Sequence, residues 1–309
     1  QLRLLFHSEE DNMILTIDIG GTSVKYAAVT DGNLGKISSF ETPKTWDEMV
    51  NQLRDVAQNF TNIEGVAISA PGVVKFKDGF ISGNSAVPYI HHFPIVDTLE
   101  KLFKVPVTIE NDANAAGLAE VKQGVAAVAN SAIFVVVGTG VGGAVYLNGQ
   151  LVRGAHGYGG EFGYSFFDGV NSQWSVKASA VEMARRYNVR HDTSLSGKEL
   201  YDLAEEGDDV AKINVSRQLD SLARGIFNLM FIVDPDIIVI GGGLSQNADI
   251  LNELNQRVSI LIADVKGHIT DMPVNIKAAQ FGNSANLIGA YEVFKSYYPN
   301  VNEMKKKQV

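Results

Sequence analysis

A short segment near the start of the chain is repeated 117 residues later, and this repeat constrains the fold more than any other feature. Residues 17–34, IDIGGTSVKYAAVTDGNL, align without a gap on residues 134–151, FVVVGTGVGGAVYLNGQL, so that Gly21 coincides with Gly138. Each copy has the pattern of a strand, a Gly-Thr turn, a second strand, an Asp-Gly or Asn-Gly turn and a third strand. The repeat predicts a duplicated fold whose two halves each begin with a β-hairpin. Two unrelated hairpins are the alternative, because glycine-rich turns between β-branched runs are common.

Helical and strand patterns alternate after each hairpin, which is typical of an α/β fold. If the halves face each other, two Gly-Thr turns can hold one polyphosphate through backbone N–H groups. The first half contains predicted helices at 46–60 and 93–103 and predicted strands at 65–70 and 106–110. The second half contains predicted helices at 174–187, 210–232 and 248–262 and a predicted strand at 237–240.

The second copy contains the spacing G-x-G-x-x-G at Gly138, Gly140 and Gly143, which is half of a dinucleotide-binding fingerprint. That fingerprint requires a helix to begin at the glycines, so that the helix N-terminus holds a pyrophosphate. Here the following residues, 144–147, have the pattern of a strand. The glycines at 241–243 do precede a helical pattern, but they lack the third glycine of the fingerprint. An NAD-dependent oxidoreductase is therefore disfavoured.

The charge balance and the lack of cysteine exclude further classes of function. The chain has 26 Lys and Arg against 35 Asp and Glu, a formal net charge of −9, and no Cys. An acidic chain without an extended basic cluster is not expected to bind nucleic acid. Disulfides and thiolate zinc sites are excluded. No apolar run reaches the length of a membrane span, so we expect a cytoplasmic protein without a membrane partner.

One carboxylate interrupts the apolar opening strand of the first half. Asp18 occupies the position where the second half has Val135. A buried carboxylate is costly unless it is paired or bound to metal, and Mg²⁺ takes one or two carboxylates together with phosphate oxygens. Asp18 is therefore a candidate Mg²⁺ ligand. An Asp that accepts hydrogen bonds from the turn amides is the alternative.

Seven segments, in this order, resemble the ROK (repressor, open reading frame, kinase) family. They are DIGGT (18–22), APG (70–72), END (110–112), GTGVGGA (138–144), GGEFG (159–163), DPDIIVIGGG (234–243) and FGNSANLIGA (281–290). The resemblance implies a duplicated actin-like, hexokinase-like (ribonuclease H-like) α/β fold with two domains and a central cleft. We expect a small N-terminal domain of residues 13–111 plus about 284–309 and a larger C-terminal domain of residues 112–283. Residues 1–12 are expected to be an extension.

The same resemblance implies an ATP- and Mg²⁺-dependent kinase that phosphorylates a hexose or hexose derivative at its 6-hydroxyl. Glucokinase, N-acetylmannosamine kinase and β-glucoside kinase are the types considered, and a homodimer is implied. The family also includes sugar-responsive repressors, which carry an additional helix-turn-helix domain. We expect no such domain ahead of a strand that begins near residue 14. A non-catalytic sugar-binding sensor stays the alternative.

The resemblance assigns roles to residues of the proposed sugar site. Asp112 matches the catalytic base, although an N-cap Asp at a strand-to-helix junction is the ordinary interpretation of the local sequence. Asn111 is implied as a ligand of sugar hydroxyls, and so is Glu161, which by composition alone resembles a solvated loop residue. The glycines on both sides of Glu161 are expected to leave room for a ligand against the backbone. Gly72 and Asn84 fall where the family lines the sugar pocket.

The resemblance also assigns the ATP site to glycine-rich turns in both halves. The first turn contains Gly20, Gly21 and Thr22, expected beside the γ-phosphate, and the second contains Gly138, Thr139 and Gly140. Gly242 and Gly243 belong to a triple glycine that resembles the adenosine motif. A plain strand-to-helix turn is the alternative for these last glycines.

Two positions depart from the family pattern. Most members bind zinc through a His shortly after the GE pair and three clustered Cys, but Tyr164 takes the His position and the chain has no Cys. No zinc site of that type is therefore expected. The Glu that usually adds to sugar binding is replaced by Ser175, if Ser179 corresponds to the family's following Ser. Tyr164 and Ser175 thus become candidate sugar-site residues, and the identity of the sugar stays open.

Overall fold

The computed structural model describes residues 13–166, 172–265 and 271–299, which fall into two units. The first unit runs to Ala119 and takes up the chain again from Asn283, and the second comprises Glu120–Gly282. The sequence analysis placed the change of domain between residues 111 and 112, whereas here residues 112–119 belong with the first unit. None of the helices in the described ranges combines the length and apolar character needed to cross a membrane.

The first unit contains a mixed main sheet with helices on both faces and a separate antiparallel pair of short strands. Its strands are β1 (Met13–Ile19), β2 (Ser23–Thr30), β3 (Asn33–Leu34), β4 (Ser38–Glu41), β5 (Ile63–Ala70), β6 (Val73–Lys75), β7 (Phe80–Ser82) and β8 (Val107–Asn111). Its helices are α1 (Trp46–Gln58), α2 (Ile95–Phe103), most of α3 (Asp112–Lys122) and α9 (Ala285–Tyr297). The main sheet has the order β3-β2-β1-β5-β8, with β4 also paired to β2 and with β1, β5 and β8 parallel to one another.

Alternation along β1 decides which side chains reach which face of this sheet. Leu15 and Ile17 pack in the cluster that contains Met49 of α1, whereas Ile14 packs with Phe294 of α9. Since side chains of a strand alternate between the two faces, Asp18 lies on the same face as Ile14, toward α9. The burial of β1 on both faces explains why its sequence is almost continuously apolar.

The second unit repeats this arrangement. Its strands are β9 (Ser131–Val137), β10 (Val141–Leu147), β11 (Gln150–Leu151), β12 (Ile237–Gly242) and β13 (Ile276–Ala278), in the order β11-β10-β9-β12-β13. Its helices are α4 (Trp174–Ala178), α5 (Ala180–His191), α6 (Gly197–Glu205), α7 (Asp209–Val233) and α8 (Ala248–Ala263). Across each sheet the three hairpin strands lie in the order third, second, first, and two further strands parallel to the first one follow. The predicted duplication is therefore confirmed in the strand order.

The predicted hairpin turns are present in both copies. Asp31 and Gly32 have φ values of 51° and 81°, and Asn148 and Gly149 have φ values of 53° and 67°. Positive φ at both central residues is the geometry that suits a two-residue hairpin loop, and it explains the Asp-Gly and Asn-Gly pairs. Residues 144–147 form strand rather than helix, which confirms that Gly138, Gly140 and Gly143 lie in a strand-turn-strand.

The single helix predicted over 174–187 is wrong, because the chain breaks at Ser179. This residue is extended, with φ −72° and ψ 135°, and separates α4 from α5. Its hydroxyl accepts a hydrogen bond from the Glu182 N–H, which caps α5, and donates to the carbonyls of Gly138 and Thr139. A serine that caps one helix and binds another turn stabilises the break.

Candidate active site

Asp18 is a buried residue near the end of β1 and is held by two side chains. Its Oδ1 accepts hydrogen bonds from the Ser69 hydroxyl at 3.0 Å and from the Asn286 amide at 2.9 Å. Ser69 lies opposite Asp18 on β5, and Asn286 lies in the first turn of α9. Asp18 is therefore held by side chains of β5 and α9 and not by the turn amides of the alternative.

The environment of Asp18 also sets its protonation. Burial raises the pKa of this carboxyl, and the hydrogen bonds from Asn286 and Ser69, together with the charge of Lys25, act in the opposite direction. A desolvated carboxylate gains most from a cation or a further donor. Within the described residues its second oxygen, Oδ2, has no hydrogen-bond partner. Asp18 therefore fits the role of a single protein carboxylate for Mg²⁺ bound to phosphate oxygens.

The described residues contain no group of three or more His, Asp or Glu side chains placed to hold a metal ion. A Mg²⁺ ion that arrives with a polyphosphate needs only one or two carboxylates, because phosphate oxygens and water supply the rest.

The strand-to-helix junction after β8 divides two roles between neighbouring residues. The Asn111 Oδ1 accepts a hydrogen bond from the Asn114 N–H at 3.0 Å, three residues ahead, which is the N-cap pattern. Asp112 follows as the first residue of α3, half-buried, and its Oδ1 accepts from the Ala113 N–H at 2.8 Å. The N-cap role considered for Asp112 is therefore filled by Asn111.

Asn111 also ties this junction to the loop after β5. Its Nδ2 donates to the Gly72 carbonyl at 3.1 Å. One amide hydrogen and one oxygen lone pair are left over, which is enough to bind one sugar hydroxyl. Glu110, just before it, is buried and accepts from the Asn111 N–H and from the Asn114 amide. The junction is thus fixed before any ligand is bound.

Gly72 is required by the packing of this loop. Its φ is +104°, and a Cβ there would lie 2.6 Å from the His91 ring and 2.9 Å from Ile81. The His91 Nε2 lies 2.7 Å from the Ser85 hydroxyl, which also accepts from the Val87 N–H. The exposed Asn84 precedes Ser85, so the His91–Ser85 pair fixes the segment that presents Asn84.

The first glycine turn, residues 20–22, closes tightly between β1 and β2. The Gly20 N–H donates to the Ser23 carbonyl at 3.1 Å, and the Thr42 hydroxyl donates to the Gly20 carbonyl at 2.6 Å. A Cβ at Gly21 would lie 2.7 Å from the Ala86 Cβ. Gly21 and Thr22 are exposed, so the turn is fixed by the hydrogen bonds at Gly20 while its other two residues face solvent.

The second glycine turn, residues 138–140, lies beside the glycines at the end of β12. Gly242 of β12 pairs with Val137 of β9 in a parallel register, so both glycine segments are at the same edge of the sheet. Apart from the adjacent chain, no atom of the described residues lies within 4 Å of a Cβ placed on Gly138 or on Gly243. These two positions offer open backbone to a ligand. The chain continues after Gly242 as a short 3-10 turn, not directly as a helix.

Glu161 is a half-buried carboxylate in the second unit. Its main chain is fixed by a hydrogen bond from its N–H to the Tyr158 carbonyl at 3.2 Å. Its side chain accepts no hydrogen bond from the described part of the chain, and burial raises its pKa. A desolvated carboxylate that lacks donors is suited to bind the hydroxyls of a polar ligand.

The glycines around Glu161 have a different purpose from the one expected. A Cβ on Gly160 would lie 2.4 Å from the Gly143 carbonyl, and one on Gly163 would lie 2.1 Å from the Val141 carbonyl. These glycines therefore let the segment lie directly on the backbone of β10. They position Glu161 and do not themselves make room for a ligand.

Tyr164 and Ser175 have unlike surroundings. Tyr164 is 63% exposed in the 3-10 turn Phe162–Tyr164. The Ser175 hydroxyl accepts from the Val141 N–H at 3.0 Å, directly after the second glycine turn. Ser175 thus supports that turn, and its contact with a sugar stays a prediction.

The sequence profile of the ROK family matches residues 14–296. The chain belongs to the ROK family. A Klebsiella pneumoniae beta-glucoside kinase is 31% identical over 297 residues, which cover 92% of this chain and 97% of that protein. The predicted family is thereby confirmed.

Solved structures of the ROK family confirm the predicted fold class. A ROK family protein from Streptococcus pneumoniae in complex with sucrose is 35% identical, with a TM-score of 0.86 over 93% of this chain and 99% of that chain. A ROK family glucokinase from Streptomyces griseus, in complex with glucose and AMPPNP, is 25% identical, with a TM-score of 0.77 over 91% of this chain and 99% of that chain.

Three residues that support the ROK motifs were missed by the sequence analysis. Ser69 and Asn286 hold Asp18, and Ser179 holds the second glycine turn. Asn286 lies within the motif FGNSANLIGA, whereas Ser69 lies directly before the motif APG and outside it. Nothing in the local pattern pairs Asn286 with Asp18, because 268 residues separate them.

Proposed function

We infer that this chain is a sugar kinase that transfers the γ-phosphoryl group of ATP to the 6-hydroxyl of a hexose or hexose derivative. The placement of Asp18 and Asp112 carries the inference from the geometry. Asp18 lies near the carboxyl end of β1 and Asp112 directly follows β8, and these are parallel strands of one sheet, at whose carboxyl edge α/β proteins bind ligands. The named ROK relatives, a beta-glucoside kinase and a glucokinase, support it independently.

Asp112 is proposed as the general base of the transfer. The sugar oxygen forms a bond to the γ-phosphorus, the bond from that phosphorus to the bridging oxygen of ADP breaks, and Asp112 takes the hydroxyl proton. Asn111 is proposed to orient the same hydroxyl through its remaining amide capacity. Since Asn111 fills the N-cap position, Asp112 is not needed as the N-cap of α3.

Asp18 is proposed to hold the Mg²⁺ that accompanies ATP. The ion would neutralise charge on the phosphate oxygens when bound. The Ser69 and Asn286 hydrogen bonds fix the orientation of the Asp18 carboxylate beforehand, which reduces the cost of organising the site.

The open position at Gly138 yields a prediction that separates binding from folding. Gly138→Ala is expected to raise the KM for ATP about tenfold, equal to about 1.4 kcal/mol of lost phosphate contact. The free energy of unfolding is expected to change by less than about 0.5 kcal/mol, because the new Cβ meets no described atom within 4 Å. Steady-state kinetics and urea denaturation measure the two effects. An unchanged KM for ATP would remove Gly138 from the nucleotide site.

Glu161 yields a prediction in which affinity and stability change in opposite directions. Burial raises its pKa, and an acid with a raised folded pKa stabilises the fold below its unfolded pKa and loses that contribution as pH rises through the folded value. At neutral pH the buried charge therefore costs stability.

Glu161→Gln is accordingly expected to keep or raise the melting temperature of the sugar-free protein at pH 7. It should raise the KM for sugar about 10- to 100-fold, because hydrogen bonds to a charged acceptor are lost. Glu206→Gln, at an exposed position of the same unit, is the control. A lower melting temperature with an unchanged KM would mean that Glu161 has only a structural role.

We propose a β-glucoside as the preferred sugar, because Tyr164 and Ser175 depart from the ROK pattern at positions that face the anomeric and 2-position groups in relatives, and the Klebsiella pneumoniae relative is a beta-glucoside kinase. A 2-acylamino sugar is the alternative that the same two positions allow. ADP release with Mg-ATP over cellobiose, glucose, N-acetylmannosamine, N-acetylglucosamine, mannose and fructose tests this proposal through kcat/KM. A higher kcat/KM for glucose than for cellobiose would overturn the preference for a β-glucoside. Ligand-induced stabilisation without ADP release from any sugar would instead support a sensor.

The remaining expectations are proposals of the same kind. We propose a cytoplasmic homodimer that binds neither nucleic acid nor membrane. Light scattering after size-exclusion chromatography would test the homodimer, for which a mass near 67 kDa is expected as about twice the 33.4 kDa chain.

A further inference from the structure

A cavity of about 540 Å³ opens in the second unit between α4, α5 and α7. Five basic side chains line it, namely Lys177, Arg186, Arg190, Arg217 and Arg224. The chain contains nine arginines in total and has a net charge of −9, so four of the nine are gathered in one cavity of an acidic protein.

Helical spacing places these charges on facing surfaces. Arg186 and Arg190 are four residues apart on α5, and Arg217 and Arg224 are seven apart on α7. Residues at these spacings lie on one face of a helix, and like charges so placed repel each other. The repulsion is strongest between Arg186 and Arg190, four residues apart, and a negative charge in the cavity would offset it.

The acidic residue of the lining does not supply that charge. Asp220 is ion-paired with Arg257, which is itself bound by Glu253. Arg186 is half-buried and donates to the Val176 carbonyl. Burial lowers the pKa of Arg186, and the neighbouring arginines 185 and 190 act in the same direction against Glu182.

We propose that this cavity binds a small phosphate-bearing anion. Planar guanidinium groups bind phosphate oxygens in pairs of parallel hydrogen bonds, and here they converge from two helices. The volume lies within the range of small-molecule sites and exceeds what one phosphate ion needs. The fitting ligands are a phosphorylated sugar or an inorganic diphosphate, which share the phosphate chemistry.

The cavity is connected to the second glycine turn through α4. Lys177 of α4 faces the cavity, while Ser175 of the same helix holds the Val141 N–H at the end of the turn. Ser179, where α4 gives way to α5, holds the Gly138 carbonyl. Occupation of the cavity is therefore expected to change the KM for ATP, a consequence that rests on the proposed kinase function.

Calorimetric titration without nucleotide tests the binding itself. The ligands are inorganic phosphate, pyrophosphate and glucose 6-phosphate, each at low and at physiological salt. The double variant Arg190→Gln/Arg217→Gln changes two exposed side chains and is expected to bind pyrophosphate or glucose 6-phosphate at least about tenfold more weakly. The matched control, Arg54→Gln/Arg185→Gln, makes the same charge change outside the cavity and should bind within about twofold of the parent.

The outcomes distinguish this proposal from its rivals. Tighter binding of glucose 6-phosphate than of pyrophosphate identifies a sugar phosphate as the ligand, and the reverse order identifies an inorganic diphosphate. Equal weakening in both double variants, or no heat with any of the three anions, overturns the proposal. Anion binding by a protein without kinase activity would refute the proposed function alone, and kinase activity without anion binding would refute the cavity alone.

Discussion

Replacement of Asp112 by asparagine is expected to lower the kcat of sugar phosphorylation about 10³-fold while the KM for sugar changes less than about threefold. The amide cannot accept the hydroxyl proton, yet it keeps the shape of the carboxylate. Folding should be unaffected, because the N-cap hydrogen bond to the Asn114 N–H comes from Asn111 and an asparagine at 112 still accepts from the Ala113 N–H. Coupled ADP release and a thermal melt measure the two quantities.

Asp249→Asn is the matched control for that experiment. Asp249 is an exposed carboxylate in the first turn of α8, so its replacement tests the general effect of removing a charge at a helix start. A kcat within about twofold of the parent is expected there. If Asp112→Asn retained more than about a tenth of the parental kcat, Asp112 would not be the base.

Substitution of Gly289 by alanine is expected to lower the free energy of unfolding by about 3 kcal/mol. The new Cβ would lie 1.7 Å from the Ala115 carbonyl oxygen, a backbone atom of α3 that no side-chain rotation can move. Helix propensity alone predicts the opposite sign, since alanine in a helix interior is favoured over glycine by about 0.5–1 kcal/mol.

Urea denaturation measures which of these effects dominates. A stabilised Gly289→Ala protein would show that α9 and α3 are not in backbone contact. If Gly289→Ala is destabilising, the variant should lose kinase activity at the urea concentration at which it unfolds, because α9 supplies the Asn286 amide that holds Asp18.

The sequence predicted those parts of the fold that leave a local signal. The repeat at residues 17–34 and 134–151 predicted the two hairpins, and apolar runs predicted β5 and β12. The break between α4 and α5 at Ser179 was not predicted, because the Ser179 hydroxyl donates to carbonyls 40 and 41 residues away, beyond any local sequence pattern. The helix α6 was missed, although Ser196 and Glu199 form a capping box at its start.

The candidate site was predicted unevenly for the same reason. Asp112 and Glu161 were predicted from motifs, and their surroundings were not. The glycines near Glu161 were interpreted as space for a ligand, whereas Gly160 and Gly163 are filled by the backbone of β10. The role of Asn111 as N-cap follows from one hydrogen bond, and a sequence that offers Asn and Asp side by side cannot decide between them.

The discontinuity of the first unit affects how the protein is made on the ribosome. Its sheet is translated first, but α9, which covers β1, β5 and β8, comes after the whole second unit. Until Phe294 of α9 has been synthesised, the face of β1 and β5 around Ile14 and Ala67 is uncovered. Asp18 also lacks the hydrogen bond from the Asn286 amide until then. The nascent sheet therefore keeps an exposed apolar surface until that stage, and a carboxylate proposed to hold Mg²⁺ receives its amide partner only from a helix translated after the whole second unit.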